Sequence, residues 1–145
     1  MKRIICLILI FFIFPLSAFS AEPIVTVNLN GNVIEFDVPP KLISGRTMVP
    51  MRKIYEALGA RVEWVEEAQL IVAFYDTDII SMEIGETEFY VTDLVSGETE
   101  TIYLDVAPFI ENEKTFVPVR AVSEVFDKKV EWDDKTYTVI INDNN

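Results

Sequence analysis

Residues 46–64 read RTMVPMRKIYEALGARVEW, and residues 114–132 read KTFVPVRAVSEVFDKKVEW. The two stretches align at a constant offset of 68 residues without a gap, and the match extends upstream to Asp37 and Asp105. Both contain Val-Pro-x-Arg, and both end in Val-Glu-Trp. Self-similarity within one chain is typical of repeated structural units. The sequence therefore predicts an internal duplication, with repeats at about residues 24–75 and 78–142.

Each repeat is predicted to contain one short helix that follows the Val-Pro step. Val49 precedes a proline and should be extended, whereas Pro50 suits the first position of a helix. Gly59 can cap the end of this helix, and Asp127 stands at the same place in the second repeat. The apolar residues of the first helix follow the amphipathic spacing i, i+3, i+4, i+7: Met51, Ile54, Tyr55 and Leu58.

Strands are predicted on both sides of each helix. Two β-rich runs at residues 24–29 and 33–38 flank Asn30-Gly31, which indicates a hairpin. After the helix, Val62 and Trp64 alternate with charged residues, as in a half-buried strand. Residues near 92–104 are interpreted as a hairpin inserted into the second repeat. The predicted fold class is α+β, with two β-β-α-β-β units whose antiparallel sheets pack on two helices and share one core.

The N-terminus has the features of a secretory signal peptide. Lys2 and Arg3 precede an apolar run that Pro15 ends and that is shorter than the roughly 20 residues of a spanning helix. Residues 18–20, Ala-Phe-Ser, fit a small-x-small cleavage pattern. An uncleaved membrane anchor is the alternative. We expect cleavage near Ser20, which leaves residues 21–145 as a single secreted domain in the extracellular space or at the cell wall.

Composition narrows the classes of function. The net charge is −12, which argues against nucleic acid and anionic membranes as partners because both attract basic surfaces. The single cysteine, Cys6, lies in the predicted signal peptide, so the exported chain would have no disulfide. Its stability should therefore come from packing.

No catalytic motif stands out. The chain has no histidine, which excludes the common nucleophilic triads and histidine zinc sites. We predict that it is not an enzyme and has no catalytic residue, cofactor or metal. A hydrolase that uses carboxylates alone, and calcium bound at acidic turns, are the less favoured alternatives. The paired acids concerned lie in predicted turns: Glu66-Glu67, Asp76 with Asp78, and Asp133-Asp134.

Arg52 and Arg120 occupy the first turn of the predicted helices, where the helix dipole disfavours a cation by about 0.3–1 kcal/mol. Glu56 and Glu124 lie four residues later and can pair with them. In a structural interpretation, each pair is a clamp that orients its helix against a strand or backbone carbonyls. In a functional interpretation, each arginine holds a ligand carboxylate together with free helix N–H groups.

Trp64 and Trp132 are the other two candidate ligand-binding residues. Each lies in phase with a valine of the predicted core, Val62 or Val130, which favours packing inside the protein. An exposed indole at either position would instead favour stacking on a sugar ring or a peptide.

The Val-Pro-x-Arg helix start, followed by Val-Glu-Trp in both repeats, resembles the copper amine oxidase N-terminal-like domain family. The resemblance implies an exported protein of Gram-positive type, with antiparallel strands wrapped against helices. It also implies a non-catalytic part, since this domain is a stalk in the amine oxidases. Their chemistry uses copper held by histidines and a modified tyrosine that follows an asparagine. This chain has no histidine, and none of its tyrosines follows an asparagine, so we predict no copper.

The favoured function is a secreted, non-catalytic binding or structural module that engages a cell-wall polymer or an envelope protein. The alternative is a self-associating structural protein, in which strand pairing extends the repeat into a homodimer.

Overall fold

The computed structural model describes residues 23–144, so the predicted signal peptide lies outside the described residues. Within this range the chain forms thirteen strands, two helices and one 3₁₀ turn at Glu66–Ala68. The fold is α+β, and its strands are mostly antiparallel.

The strands form three sheets. The terminal sheet, in the order β12-β13-β1-β2, contains β1 (Thr26–Leu29), β2 (Asn32–Val33), β12 (Lys128–Asp133) and β13 (Thr138–Asp143). The central sheet, in the order β10-β11-β4-β3, contains β3 (Lys41–Ile43), β4 (Arg46–Pro50), β10 (Phe109–Glu111) and β11 (Lys114–Pro118). The five-stranded sheet, in chain order, contains β5 (Arg61–Val65), β6 (Leu70–Tyr75), β7 (Asp78–Glu83), β8 (Glu88–Asp93) and β9 (Thr99–Tyr103).

The two helices, α1 (Met51–Ala57) and α2 (Val119–Val125), each follow a strand of the central sheet without an intervening loop. Pro50 remains in the extended conformation, so the helix begins one residue later than the sequence predicts. Gly59 and Asp127 have φ angles of +87° and +56°, as expected of left-handed residues after a helix. The predicted apolar face of α1 is buried at all four positions: Met51, Ile54, Tyr55 and Leu58.

Strands β4 and β11 join the two predicted repeats. Their paired residues are Val49 with Val117, Met48 with Pro118, and Pro50 with Phe116. Under the offset of 68 residues, Val49 corresponds to Val117, and the other two pairs exchange with one another. The register is therefore symmetric about the Val49–Val117 pair. Each helix also contacts the central strand of the other repeat, α1 against β11 and α2 against β4.

Two parts of the predicted strand pattern need correction. The first strand, β1, pairs in parallel with the last strand, β13, so the sheets are not wholly antiparallel and the ends of the chain share one sheet. The partner β2 has two residues, and the amide of Ile34 makes the last hydrogen bond to β1, so residues 35–38 do not continue the predicted strand. The hairpin predicted near residues 92–104 is present: β8 and β9 pair antiparallel on either side of residues 94–98, and they form one edge of the five-stranded sheet.

One hydrophobic cluster is built from both halves of the chain. It contains Val27 of β1, Ile54 of α1, Phe89 of β8 and Ile141 of β13, each without exposed surface. The prediction of a single shared core is confirmed. Among residues 23–144, no helix is long and apolar enough to cross a membrane.

Candidate functional site

The two arginines differ in their contacts. Arg120 donates a hydrogen bond of 3.1 Å from Nη1 to the carbonyl oxygen of Val130 on β12, and the same atom lies 3.7 Å from a carboxylate oxygen of Glu124. For Arg52, no hydrogen bond or ion pair is found with any residue between 23 and 144. The predicted clamp is therefore present at Arg120, whereas the guanidinium of Arg52 has no equivalent contact.

We predict that Arg120→Ala lowers the melting temperature and that Arg52→Ala does not. Arg120 is about half exposed, so loss of its carbonyl bond and ion pair should cost about 1 kcal/mol, or a few degrees. Arg52→Ala is the matched control, because it removes the same side chain at the equivalent position. Thermal unfolding followed by circular dichroism measures both. Equal shifts for the two variants would contradict the assignment of a clamp to Arg120 alone.

The tryptophans also differ. Trp64 is half-buried against the core, and its indole N–H donates to a carboxylate oxygen of Glu66. Trp132 is 38% exposed, and its ring meets Tyr137 edge-to-face at a centroid distance of 6.0 Å. Core packing is therefore the wrong interpretation for Trp132. Its exposed ring favours the binding interpretation instead.

A groove of about 710 Å³ contains Arg52 and Trp64, and we call it the Trp64 groove. Its other side comes from the second repeat, through Lys114 and Thr115 of β11 and Ile110 of β10. A groove of about 260 Å³ contains Arg120 and Trp132, and we call it the Trp132 groove. Its other side comes from the first repeat: Arg46 and Thr47 of β4, and Leu42 of β3.

The two grooves are equivalent under the offset of 68 residues. In each groove, one predicted repeat supplies the indole and a helix arginine. The other predicted repeat supplies a cation and a threonine from its strand of the central sheet. Lys114 and Arg46 hold equivalent positions, and both pair with an acid: Lys114 with Asp37, and Arg46 with Asp105. The hydrogen bond from the Lys114 ammonium group lowers the pKa of Asp37 below its ordinary value. Each groove therefore brings an aromatic ring together with at least two cations. Of these cations, Lys114, Arg46 and Arg120 already contact an acid.

The sequence model of the copper amine oxidase N-terminal domain matches residues 28–141, most of the chain. The chain belongs to this family. The predicted resemblance is confirmed. The matched residues include both helices and both grooves of this copper amine oxidase N-terminal domain.

This copper amine oxidase N-terminal domain is also similar to a protein named "Protease inhibitor" from Brevibacillus choshinensis. The two are 27% identical over 127 residues, which cover 83% of this chain and 36% of the relative. The chain therefore spans about a third of the relative's length.

The sequence predicted Arg52, Arg120 and the two tryptophans as candidate binding residues, but it did not predict Arg46 and Lys114 as groove residues. A signal was present, because these two positions are equivalent in the repeat and both are basic. Their partners Asp37 and Asp105 are equivalent too. Both equivalent positions 46 and 114 are basic, and both equivalent positions 37 and 105 are acidic. This coincidence could have predicted the two ion pairs.

The paired acids lie in turns or at strand ends: Asp76 and Asp134 are in turns, whereas Asp78 begins β7 and Asp133 ends β12. Glu66 and Glu67 form the exposed 3₁₀ turn. Asp133 accepts hydrogen bonds from the hydroxyl of Thr136 and the backbone N–H of Lys135, and these bonds lower its pKa. In the described part of the chain, no three acidic, histidine or cysteine side chains come together in a group that could hold a metal ion.

Proposed function

We propose that this domain is an exported, non-catalytic binding module whose two tryptophan grooves hold a cell-wall polymer. The observation that carries the proposal is the arrangement of each groove, which places an indole ring near two cations from different repeats. An indole face suits the apolar face of a sugar ring. Guanidinium and ammonium groups suit carboxylates on the same polymer.

Two equivalent grooves on one molecule also support a polymeric ligand. A polymer repeats its binding group along the chain, so one strand could occupy both grooves, and the second contact would form at a high effective concentration. A small ligand would gain nothing from this arrangement. The overall charge of −12 would repel an anionic polymer, so the local cations of the grooves must guide it.

The proposal predicts saturable binding of residues 21–145 to isolated cell walls in a co-sedimentation assay. Arg46→Gln combined with Trp132→Ala should weaken binding about tenfold, because a charge-assisted hydrogen bond and a stacking contact are lost together. Arg52→Gln combined with Lys114→Gln should weaken it similarly through the other groove. Loss of both grooves should abolish sedimentation.

The matched control is Arg61→Gln, because Arg61 is an exposed arginine outside both grooves. It should leave sedimentation unchanged. Failure of the parent protein to sediment, or an equal loss for Arg61→Gln, would reject the grooves as the polymer site.

A second candidate is binding to an envelope or extracellular protein, and the relative named "Protease inhibitor" favours it. In that case the domain would block a protease. Residual activity of purified serine, cysteine and metalloproteases, measured with and without the domain, would test this candidate. Inhibition in the absence of wall binding would favour it over the polymer.

We also infer that the two repeats arose by internal duplication. The symmetric register at Val49 and Val117, the equivalent grooves and the paired ion contacts support this inference. The offset of 68 residues places β6 on β13, and β7 is the first strand of the second repeat as β1 is of the first. However, β1 pairs in parallel with β13, whereas β7 pairs antiparallel with β6, so the outer strands have diverged.

A further inference from the structure

The β9 strand has a free hydrogen-bonding edge. It pairs with β8 on one side and ends the five-stranded sheet among the described residues. The amide of Asp93 donates to Glu98, and the amide of Leu104 donates to Thr87. Because bonded and non-bonded pairs alternate in an antiparallel ladder, the backbone groups of residues 98, 100, 102 and 104 face β8. Those of Thr99, Thr101 and Tyr103 therefore face away from the sheet.

A cleft of about 460 Å³ lies beside this edge, between β9 and α2, and we call it the β9 cleft. Ile102 and Leu104 from the β9 side, and Val125 from α2, provide apolar surface in it. Asp78 and Glu100 also line it, and neither has an ion-pair partner within residues 23–144. By contrast, the two arginines that line the cleft, Arg46 and Arg120, each contact an acid, Asp105 and Glu124 respectively.

The stretch of sequence that contains β9 carries charge of one sign. No lysine, arginine or histidine occurs between Arg61 and Lys114, a stretch that contains 14 of the 24 acidic residues. This stretch contains β6 to β9. The five-stranded sheet therefore contributes only negative charge to the β9 cleft. The two cations of the cleft, Arg46 and Arg120, come from β4 and α2, and each contacts an acid.

We propose that the β9 edge binds an extended, basic peptide segment of a partner protein, which adds to the five-stranded sheet as a sixth strand. The outward backbone groups of Thr99, Thr101 and Tyr103 would form the new ladder. Since side chains alternate along a strand, every second one would enter the β9 cleft. A lysine or arginine there would lay its methylene groups on the apolar wall and reach Asp78 and Glu100 with its charge.

The other face of the added strand would meet a second set of groups. Tyr103 is 77% exposed and lies opposite Glu88, whose carboxylate accepts a hydrogen bond from Tyr90. Basic side chains on this face would contact the aromatic rings and the acid together. A second copy of the chain is a poorer occupant of the edge, because it would bring another set of acidic residues against this one.

The test is fluorescence anisotropy of a labelled peptide of alternating lysine and valine, titrated with residues 21–145. We expect saturable binding that weakens as salt rises. Two control peptides carry N-methyl groups on alternate amides, one on the odd positions and one on the even positions. They keep the charge of the parent peptide, but the one whose methylated amides face β9 cannot complete the ladder. That peptide should bind about tenfold more weakly. A peptide of alternating glutamate and valine should not bind.

Thr101→Pro removes one outward N–H and leaves the β8–β9 ladder intact, since proline is tolerated where a strand edge faces solvent. It should weaken binding about tenfold, and Glu100→Gln about threefold. Glu67→Gln removes an acid at the distant 3₁₀ turn and should change nothing. Hydrogen exchange should show that the amides of Thr99, Thr101 and Tyr103 gain protection when the peptide binds.

Equal binding of the parent and both N-methylated peptides would show diffuse charge attraction and overturn the proposal, as would absence of binding by the parent peptide. Light scattering tests the second copy. If the molecular mass rose with protein concentration and fell to the monomer value in Thr101→Pro, the edge would belong to a second copy, and the peptide proposal would be overturned. Trp132→Ala should leave peptide binding unchanged, so this result is independent of the wall-binding test.

Discussion

Replacing Val27 with aspartate should remove a large part of the domain's free energy of unfolding. Val27 has no exposed surface and lies beside Val139 in the parallel pairing of β1 with β13. A carboxylate there would be buried without a partner, at a cost of about 3–5 kcal/mol or more, against a total stability of about 5–15 kcal/mol for a domain of this size. Urea unfolding followed by circular dichroism measures the loss.

The matched control is Val33→Asp on the neighbouring strand β2. Val33 is 60% exposed, so the same substitution should change the free energy of unfolding by no more than about 0.5 kcal/mol. If Val27→Asp and Val33→Asp unfolded at the same urea concentration, β1 would not be part of the core.

Phe126→Ala should destabilise both repeats together. Phe126 follows α2, and its ring meets Tyr75 of β6 at a centroid distance of 4.6 Å and Tyr55 of α1 at 5.9 Å. The contact joins the second repeat to the first. Removing a buried phenylalanine side chain costs about 3–5 kcal/mol. Leu94→Ala, at an exposed turn, is the control and should have little effect.

The two tryptophans allow each repeat to be followed separately. Trp64→Phe leaves Trp132 as the probe of the second repeat, and Trp132→Phe leaves Trp64 as the probe of the first. In both backgrounds, Phe126→Ala should shift a single unfolding transition to the same lower urea concentration, since two-state unfolding gives coincident transitions for different probes. Separate midpoints for the two probes would mean that the repeats unfold independently.

Local patterns in the sequence predicted the parts of the fold that depend on neighbouring residues. The apolar spacing from Met51 to Leu58 identified the buried face of α1, and Gly59 marked its end. Alternation at Val62 and Trp64 identified β5. Each of these features is set within a few residues, so the chain itself contains the signal.

The long-range features were not predictable in the same way. The parallel pairing of β1 with β13 depends on residues from opposite ends of the chain, and strand periodicity does not specify a partner. The exposure of Trp132 also depends on tertiary contacts, because its alternation with Val130 is the same as that of Trp64 with Val62. The sequence alone identified the tryptophan and the helix arginine of each candidate groove. The residues of the opposite wall could be identified only once β4 and β11 were known to be neighbours.

The pairing of the first strand with the last has a consequence for the order of folding. Thr26 lies opposite Thr138, so the terminal sheet closes a loop of more than a hundred residues. Contacts of such sequence separation slow folding, because the entropy of loop closure is lost before the contact forms. During synthesis from the N-terminus, the terminal sheet cannot close until β13 has left the ribosome. We therefore expect the nascent chain to lack its complete core, and to stay accessible to chaperones, until β13 has been made.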